Sequence, residues 1–178
     1  MNSQNDAIKV VSLSKSFGKK NILDSLSFNV PNNAIAGFLG PNGAGKTTTL
    51  RMLLGLLPAP KGKIELLGHK IPEERAVALE RIGAVVENPS FIDTMTAFEN
   101  LYWFGSLYLP IEKKRIFEVI EMVGLKDSVN QKFGTFSSGM KQRLGVAFSL
   151  LHKPELLILD EPTSGMDPSG RYQMREIL

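Results

Sequence analysis

Residues 40–47 read Gly-Pro-Asn-Gly-Ala-Gly-Lys-Thr, between an apolar run that ends at Leu39 and a helix-like pattern that reaches Leu57. This spacing fits G-x-x-x-x-G-K-[ST] and constrains the fold more than any other stretch, because it demands a strand, a tight glycine turn and a helix in that order. Gly43 and Gly45 let the backbone wrap closely round an anion with its N–H groups turned inward. A helix starting near Lys46 aims its open N–H groups and positive dipole end at the same point. Lys46 can reach the β- and γ-phosphates of a nucleotide, the Thr47 hydroxyl can ligate Mg²⁺, and Thr48 is a further phosphate donor. The plain alternative is a strand, a turn and a helix with no ligand, but the flanking pattern favours nucleotide binding.

The 178 residues are enough for one domain with a real core and room for a subdomain. A hydrophobic share of 43% and a charged share of 22% are ordinary for a globular chain. The formal net charge is +3 and the basic residues are scattered, which argues against nucleic acid as a partner. With no cysteine there is no disulfide framework, thiolate zinc site or cysteine nucleophile. No apolar stretch is long enough to span a bilayer, and Met1–Ala7 is too polar for a signal peptide. The expected location is therefore cytosolic, with any membrane contact indirect.

The order of elements points to an α/β fold. Short strands are expected at Ile8–Leu13, Leu26–Val30, Ala34–Leu39, Lys63–Leu67 and Ile82–Val86, with a polar turn over Ser14–Lys20. The nearly all-apolar Ala34–Leu39 suits a strand covered on both faces. Helices are expected from Lys46 to Leu57 and from Pro72 to Arg81. Thr96-x-x-Glu99 is a capping box for a helix ending near Leu109. Ile116, Val119, Ile120 and Val123 share a helical face closed by Gly124, and Ser137/Ser138 can cap a helix carrying Met140, Leu144, Ala147 and Leu151. The division that follows is a core part over 1–87, a helical insert over 88–152 and a return to the core over 153–178. Lys113-Lys114-Arg115 reads as a solvated helix face, and His69 and His152 as structural or solvated residues.

Leu156–Leu159 is a buried-type strand that runs into Asp160-Glu161. Carboxylates at such a strand tip sit where open α/β sheets place ligand chemistry. Asp160 suits Mg²⁺, and Glu161 could orient or deprotonate the water that attacks a γ-phosphate. Two solvated acids at a strand end are the alternative.

Taken together, five stretches resemble, in order, the ATP-binding cassette of ABC transporters. Gly40–Thr47 (Gly40, Pro41, Asn42, Gly43, Ala44, Gly45, Lys46, Thr47) matches Walker A, and Leu156–Asp160 with Glu161 matches Walker B. Phe136-Ser137-Ser138-Gly139-Met140 is similar to the family signature, and Ser164-Gly165-Met166-Asp167 to the D-loop. Phe17 falls where the family stacks an aromatic on adenine, although a half-buried loop aromatic fits as well. The resemblance implies a P-loop NTPase fold with an ABC-type core sheet, an N-terminal antiparallel part and a helical subdomain. It implies ATP and Mg²⁺ as ligands, with Thr47, Asp160 and Glu87 toward the metal and Glu161, Lys46 and Glu87 in hydrolysis. It implies nucleotide contacts from Ser137, Gly139 and Asp167, with Ser137 and Gly139 serving a second ATP-binding subunit in a head-to-tail dimer. Plain helix capping by Ser137/Ser138 is equally compatible with the local sequence. The chain would then be cytoplasmic and peripheral on the inner face of the cell membrane, with a transmembrane permease subunit as the driven partner. The alternatives are an ABC-type ATPase outside transport and a non-catalytic nucleotide-binding module.

Three departures stand out. Glu87 occupies the place of the family's glutamine, adding a negative charge near the γ-phosphate and removing a donor. Ser138 and Met140 replace the common glycine and glutamine of the signature. Glu87-Asn88-Pro89 with this signature resembles the bacitracin and lantibiotic export and immunity branch. The sequence stops at Leu178, before the family's switch histidine and final strands, so a truncated domain with weak binding and slow hydrolysis is expected.

Overall fold

A computed structural model describes residues 6–108, 110–166 and 168–177, without the side chains of 169, 176 and 177. The chain divides into two units, Met1–Ile82 and Gly83–Leu178.

The first unit is built on antiparallel pairing. Strand β1 (Asp6–Phe17) pairs with β2 (Lys20–Pro31) and, on its other edge, with β3 (Lys61–Leu66), which pairs with β4 (His69–Ile71), giving the order β2-β1-β3-β4. Ile8 and Val10 face Leu66 and Ile64 across the ladder, and all four are buried. The ladder carries β1 through the polar Ser14–Phe17, where a turn was expected, because Lys15 and Phe17 pair with Leu23 and Lys20 of β2. The turn itself is Gly18-Lys19. Helix α1 (Lys46–Leu53) buries Thr49, Met52 and Leu53. It stops four residues before the expected Leu57, because Gly55 takes φ +63° just past the C-cap. The Leu56 and Gly55 N–H groups then donate to the Arg51 and Met52 carbonyls, a Schellman ending. Helix α2 (Arg75–Leu79) is likewise shorter than the expected Pro72–Arg81. The Glu74 carboxylate accepts the Lys70 N–H and lies 3.5 Å from His69, which holds Pro72–Glu74 as a turn. His69 itself ends up in β4.

The expected strand at Ala34–Leu39 is not formed. Residues 34–40 carry no regular structure and are exposed, with Ile35 and Leu39 each 93% accessible. A continuous apolar run becomes a strand only where a neighbouring ladder pairs with it. Among the described residues no strand pairs with this one.

The second unit has a helical core. Helices α3 (Ala97–Ser106), α4 (Lys113–Met122) and α5 (Ser138–Ser149) pack Leu101, Ile116, Ile120, Leu144 and Ala147 into one cluster with Phe133 and Phe136. Leu101, Ile116 and Leu144 are fully buried, and each such side chain contributes about 1.5–3 kcal/mol by leaving water. The Thr96–Glu99 capping box starts α3. Gly124, at φ +67°, closes α4, with Leu125 and Gly124 donating to Ile120 and Glu121. Strands β5 (Ile82–Val85) and β6 (Leu156–Leu159) pair, and the Asp160 N–H donates to the Val85 carbonyl at 2.8 Å. Within β6 only Ile158 is buried, so the strand forms but is less covered than its apolar sequence suggested. Helix α6 (Pro168–Ile177) follows, and Gln173 accepts a hydrogen bond from Arg143 of α5.

Candidate nucleotide-binding site

In the first unit the glycine loop leads directly into α1. Gly43 and Gly45 adopt φ +82° and +89°, the left-handed backbone that only glycine takes without cost. Gly45 is the N-cap, and no side-chain oxygen caps the helix there. The loop is set against β2: a Cβ at Gly45 would lie 2.9 Å from Leu23 Cδ2 and 3.0 Å from Ile22 Cγ2. A Cβ at Gly43 would meet nothing within 4 Å, so that side of the loop is open. Gly40, Pro41, Asn42, Gly43 and Ala44 are exposed. Thr47 and Thr48 lie half-buried on the first turn of α1, and Thr49 back-bonds to the Gly45 carbonyl at 2.9 Å. Lys46 Nζ donates to the Gly40 carbonyl at 2.8 Å and the Pro41 carbonyl at 3.2 Å. The ammonium is thereby held over the loop, with its third N–H available to an anion. Phe17, 51% exposed, stands at the end of β1, and Lys15 Nζ lies 5.3 Å from its ring centroid.

In the second unit, Ser137 is the N-cap of α5 and its hydroxyl accepts the Met140 N–H at 3.3 Å. The capping reading of Ser137 therefore holds. It leaves the hydroxyl hydrogen free to serve a phosphate as well. The signature and the following loop are in contact: a Cβ at Gly139 would lie 3.4 Å from Met166 Cγ, and one at Gly165 would lie 2.8 Å from Ser138 Oγ. Asp160 is half-buried at the end of β6, and Glu161 follows it exposed at φ +45°. Glu87, two residues past β5, is exposed at φ +73°. Positive φ at a non-glycine residue is uncommon, and both carboxylates carry it. Asp167 lies outside the described residues.

These donors fit the ligands that the sequence suggests. The loop offers backbone N–H groups, an open face and a cation, which together suit a polyphosphate. Thr47 in the first unit, and Asp160 and Glu87 in the second, each carry an oxygen of the hard kind that Mg²⁺ prefers. Among the described residues no three His, Asp or Glu side chains gather as a protein cage.

Arg115 was missed by the sequence reading. Its place in the run Lys113-Lys114-Arg115 predicts a solvated side chain, but that side chain is only 20% exposed. It donates through Nη2 to the Leu150 carbonyl at 2.6 Å and through Nε to the Leu151 carbonyl at 3.2 Å. No local pattern distinguishes it from Lys113 and Lys114, which remain exposed.

The profile of the family described as "ABC transporter" matches residues 23–164. The bacitracin transport ATP-binding protein BcrA of Bacillus licheniformis is 48% identical over 171 residues, covering 96% of this chain and 56% of that protein. The lantibiotic transport ATP-binding protein SrtF of Streptococcus pyogenes is 37% identical over 171 residues, covering 96% of this chain and 73% of that one. The chain thus spans a little over half the length of the first of these relatives. Among solved structures, an "ATP binding subunit of ABC transporter" is 26% identical with a TM-score of 0.83, covering 96% of this chain and 72% of that one. The α/β P-loop NTPase-like fold expected from the sequence is the one found.

Proposed function

The chain belongs to the ABC transporter family, and from that premise we propose that it binds and hydrolyses ATP to drive a separate membrane-embedded partner. The observation that carries this reading is the phosphate loop itself, an uncapped helix N-terminus behind two left-handed glycines with Lys46 held over it. Lys46 and the loop N–H groups take the β- and γ-phosphates, and Phe17 offers a face for the base. By resemblance, Thr47, Asp160 and Glu87 are the residues that would hold Mg²⁺, which would neutralise charge building on the phosphate oxygens. Glu161 orients the attacking water and accepts its proton. Glu87, in place of a neutral amide, tightens the hold on the metal and adds repulsion toward the γ-phosphate.

Ser137 and Gly139 contribute to the nucleotide held by a second ATP-binding subunit, in a head-to-tail pair. The Ser137 hydroxyl supports this, because it caps α5 and can still donate. By resemblance, Asp167 belongs to the same contact. The helices of the second unit are the docking face for the permease. Their exposed Tyr102, Trp103 and Phe117 supply apolar area that a partner would cover. The similarity to BcrA, a bacitracin transport protein, and to SrtF, a lantibiotic transport protein, supports antimicrobial-peptide export or immunity as the transport class. No described helix is long and apolar enough to cross a membrane.

Calorimetry with Mg-ATP tests binding, and Lys46→Ala is expected to abolish it. In an active preparation Glu161→Gln is expected to lower turnover about a hundredfold or more while leaving nucleotide binding within a few fold, as loss of a general base does. Binding that is insensitive to Lys46, or turnover that is insensitive to Glu161, would sink the reading.

A further inference from the structure

Two helices of this chain present their N-termini as candidate phosphate sites, and in both an arginine from another helix holds the opposite end. For α1 the guanidinium belongs to Arg75, whose Nε donates to the Leu54 carbonyl at 2.8 Å, just past the last helical residue. Gly55 makes room for the arginine stem: a Cβ there would lie 2.5 Å from Arg75 Cδ. For α5 the guanidinium is that of Arg115, which reaches the Leu150 and Leu151 carbonyls.

We propose that Arg75 is a positioning residue for the phosphate loop and Arg115 for the Ser137-led helix, each acting through the far end of the helix it caps. The physical case is strongest for α1. Eight residues make barely two turns, too short to persist without tertiary support. The Schellman bonds at Gly55 satisfy Arg51 and Met52, and Arg75 takes the Leu54 carbonyl beyond them. A cation at that end also complements the negative pole of the helix dipole. If the last turn loosens, the N–H groups of the first turn lose their fixed aim, and preorganisation toward phosphate is lost with it. The α5 case is the same device on a longer helix, with two carbonyls taken by one fork.

This inference rests on the nucleotide reading of residues 40–47, so its test has one arm that needs no nucleotide. Arg75→Met keeps the apolar stem and removes the donors. Amide hydrogen exchange of the nucleotide-free chain is expected to rise about tenfold over residues 47–53, with β1 and β2 unchanged. Mg-ATP affinity is expected to fall about fivefold, and Arg75→Lys to return it to within twofold of the parent. Arg115→Met is expected to raise exchange over residues 140–149 and leave α1 as it was. If the methionine variant does not fold, Arg75→Gln replaces it, with the same local exchange pattern expected. Unchanged exchange in α1, a rise spread evenly over the first unit, or no recovery with lysine would overturn the proposal. Absence of Mg-ATP binding by the parent chain would instead overturn the nucleotide reading, with the exchange pattern still deciding whether Arg75 anchors α1.

Discussion

Gly45 and Gly43 show how two residues of one type in one loop meet different demands. Both have positive φ, so an alanine at either costs about 1–2 kcal/mol of backbone strain. Only Gly45 lies against β2, where a methyl would press on Leu23 and Ile22. Overpacking of that kind adds about 1 kcal/mol or more. Gly45→Ala is therefore expected to lower the urea midpoint clearly more than Gly43→Ala, although both weaken Mg-ATP binding. Equal midpoints would show that the contact with β2 is not as tight as the structure places it. The need for glycine at both positions was legible from the motif, but the second reason for Gly45 was not. It depends on Ile22 and Leu23, which are distant in sequence and carry no sign of what they face. Arg115 is the same lesson from the other side. Lys113, Lys114 and Arg115 are alike as a run of charges, and only the position of the α5 carbonyls separates the arginine from its neighbours.

Among the elements, legibility followed how local the cause of each one is. Helix α3 is announced by Thr96 and Glu99, and both halves of the capping box form: the Thr96 hydroxyl accepts the Glu99 N–H at 3.1 Å, and the Glu99 carboxylate accepts the Thr96 N–H at 2.7 Å. Helix α4 has its apolar face and Gly124, and α5 has Ser137. The run Ala34–Leu39 has no such local cause, since strand formation depends on a partner elsewhere, and there the expectation failed. The capping box carries a pH prediction. The Thr96 backbone N–H, followed by its hydroxyl, holds the Glu99 carboxyl below its ordinary value of 4.5. A carboxylate with a lowered folded-state pKa stabilises the helix fully above the unfolded value and loses that contribution as pH falls through the lowered one. Exchange at the first-turn amides of α3 is expected to rise below about pH 4.5, and Glu99→Gln to remove that pH dependence while keeping the Thr96 bond. Thr96→Ala is expected to cost about 1 kcal/mol at neutral pH. A helix start insensitive to pH in the parent chain would contradict the reciprocal bond.

For the molecule as a whole, the informative quantity is how much of its stability a nucleotide can add. The chain divides into two units, each with its own buried residues, and the loop with Lys46 belongs to the first. A ligand that binds only the folded form stabilises by about 2.7 kcal/mol at a hundredfold excess over its Kd. For a chain of this length, 1 kcal/mol moves the melting midpoint by about 2–4 °C. Mg-ATP at such an excess is therefore expected to raise the midpoint by about 5–10 °C, if unfolding is cooperative across the chain. A transition confined to the first unit involves a smaller unfolding entropy and should move further for the same free energy. Calorimetry with and without Mg-ATP reads both size and shape, and Lys46→Ala supplies the baseline without binding. A shift confined to one of two transitions would place the nucleotide's grip within one unit, whereas a single transition moving intact would show that both units unfold together. No shift at any Mg-ATP concentration in the parent chain would remove the phosphate loop from the function, because an anion site with this geometry has no means of binding without stabilising the state that forms it.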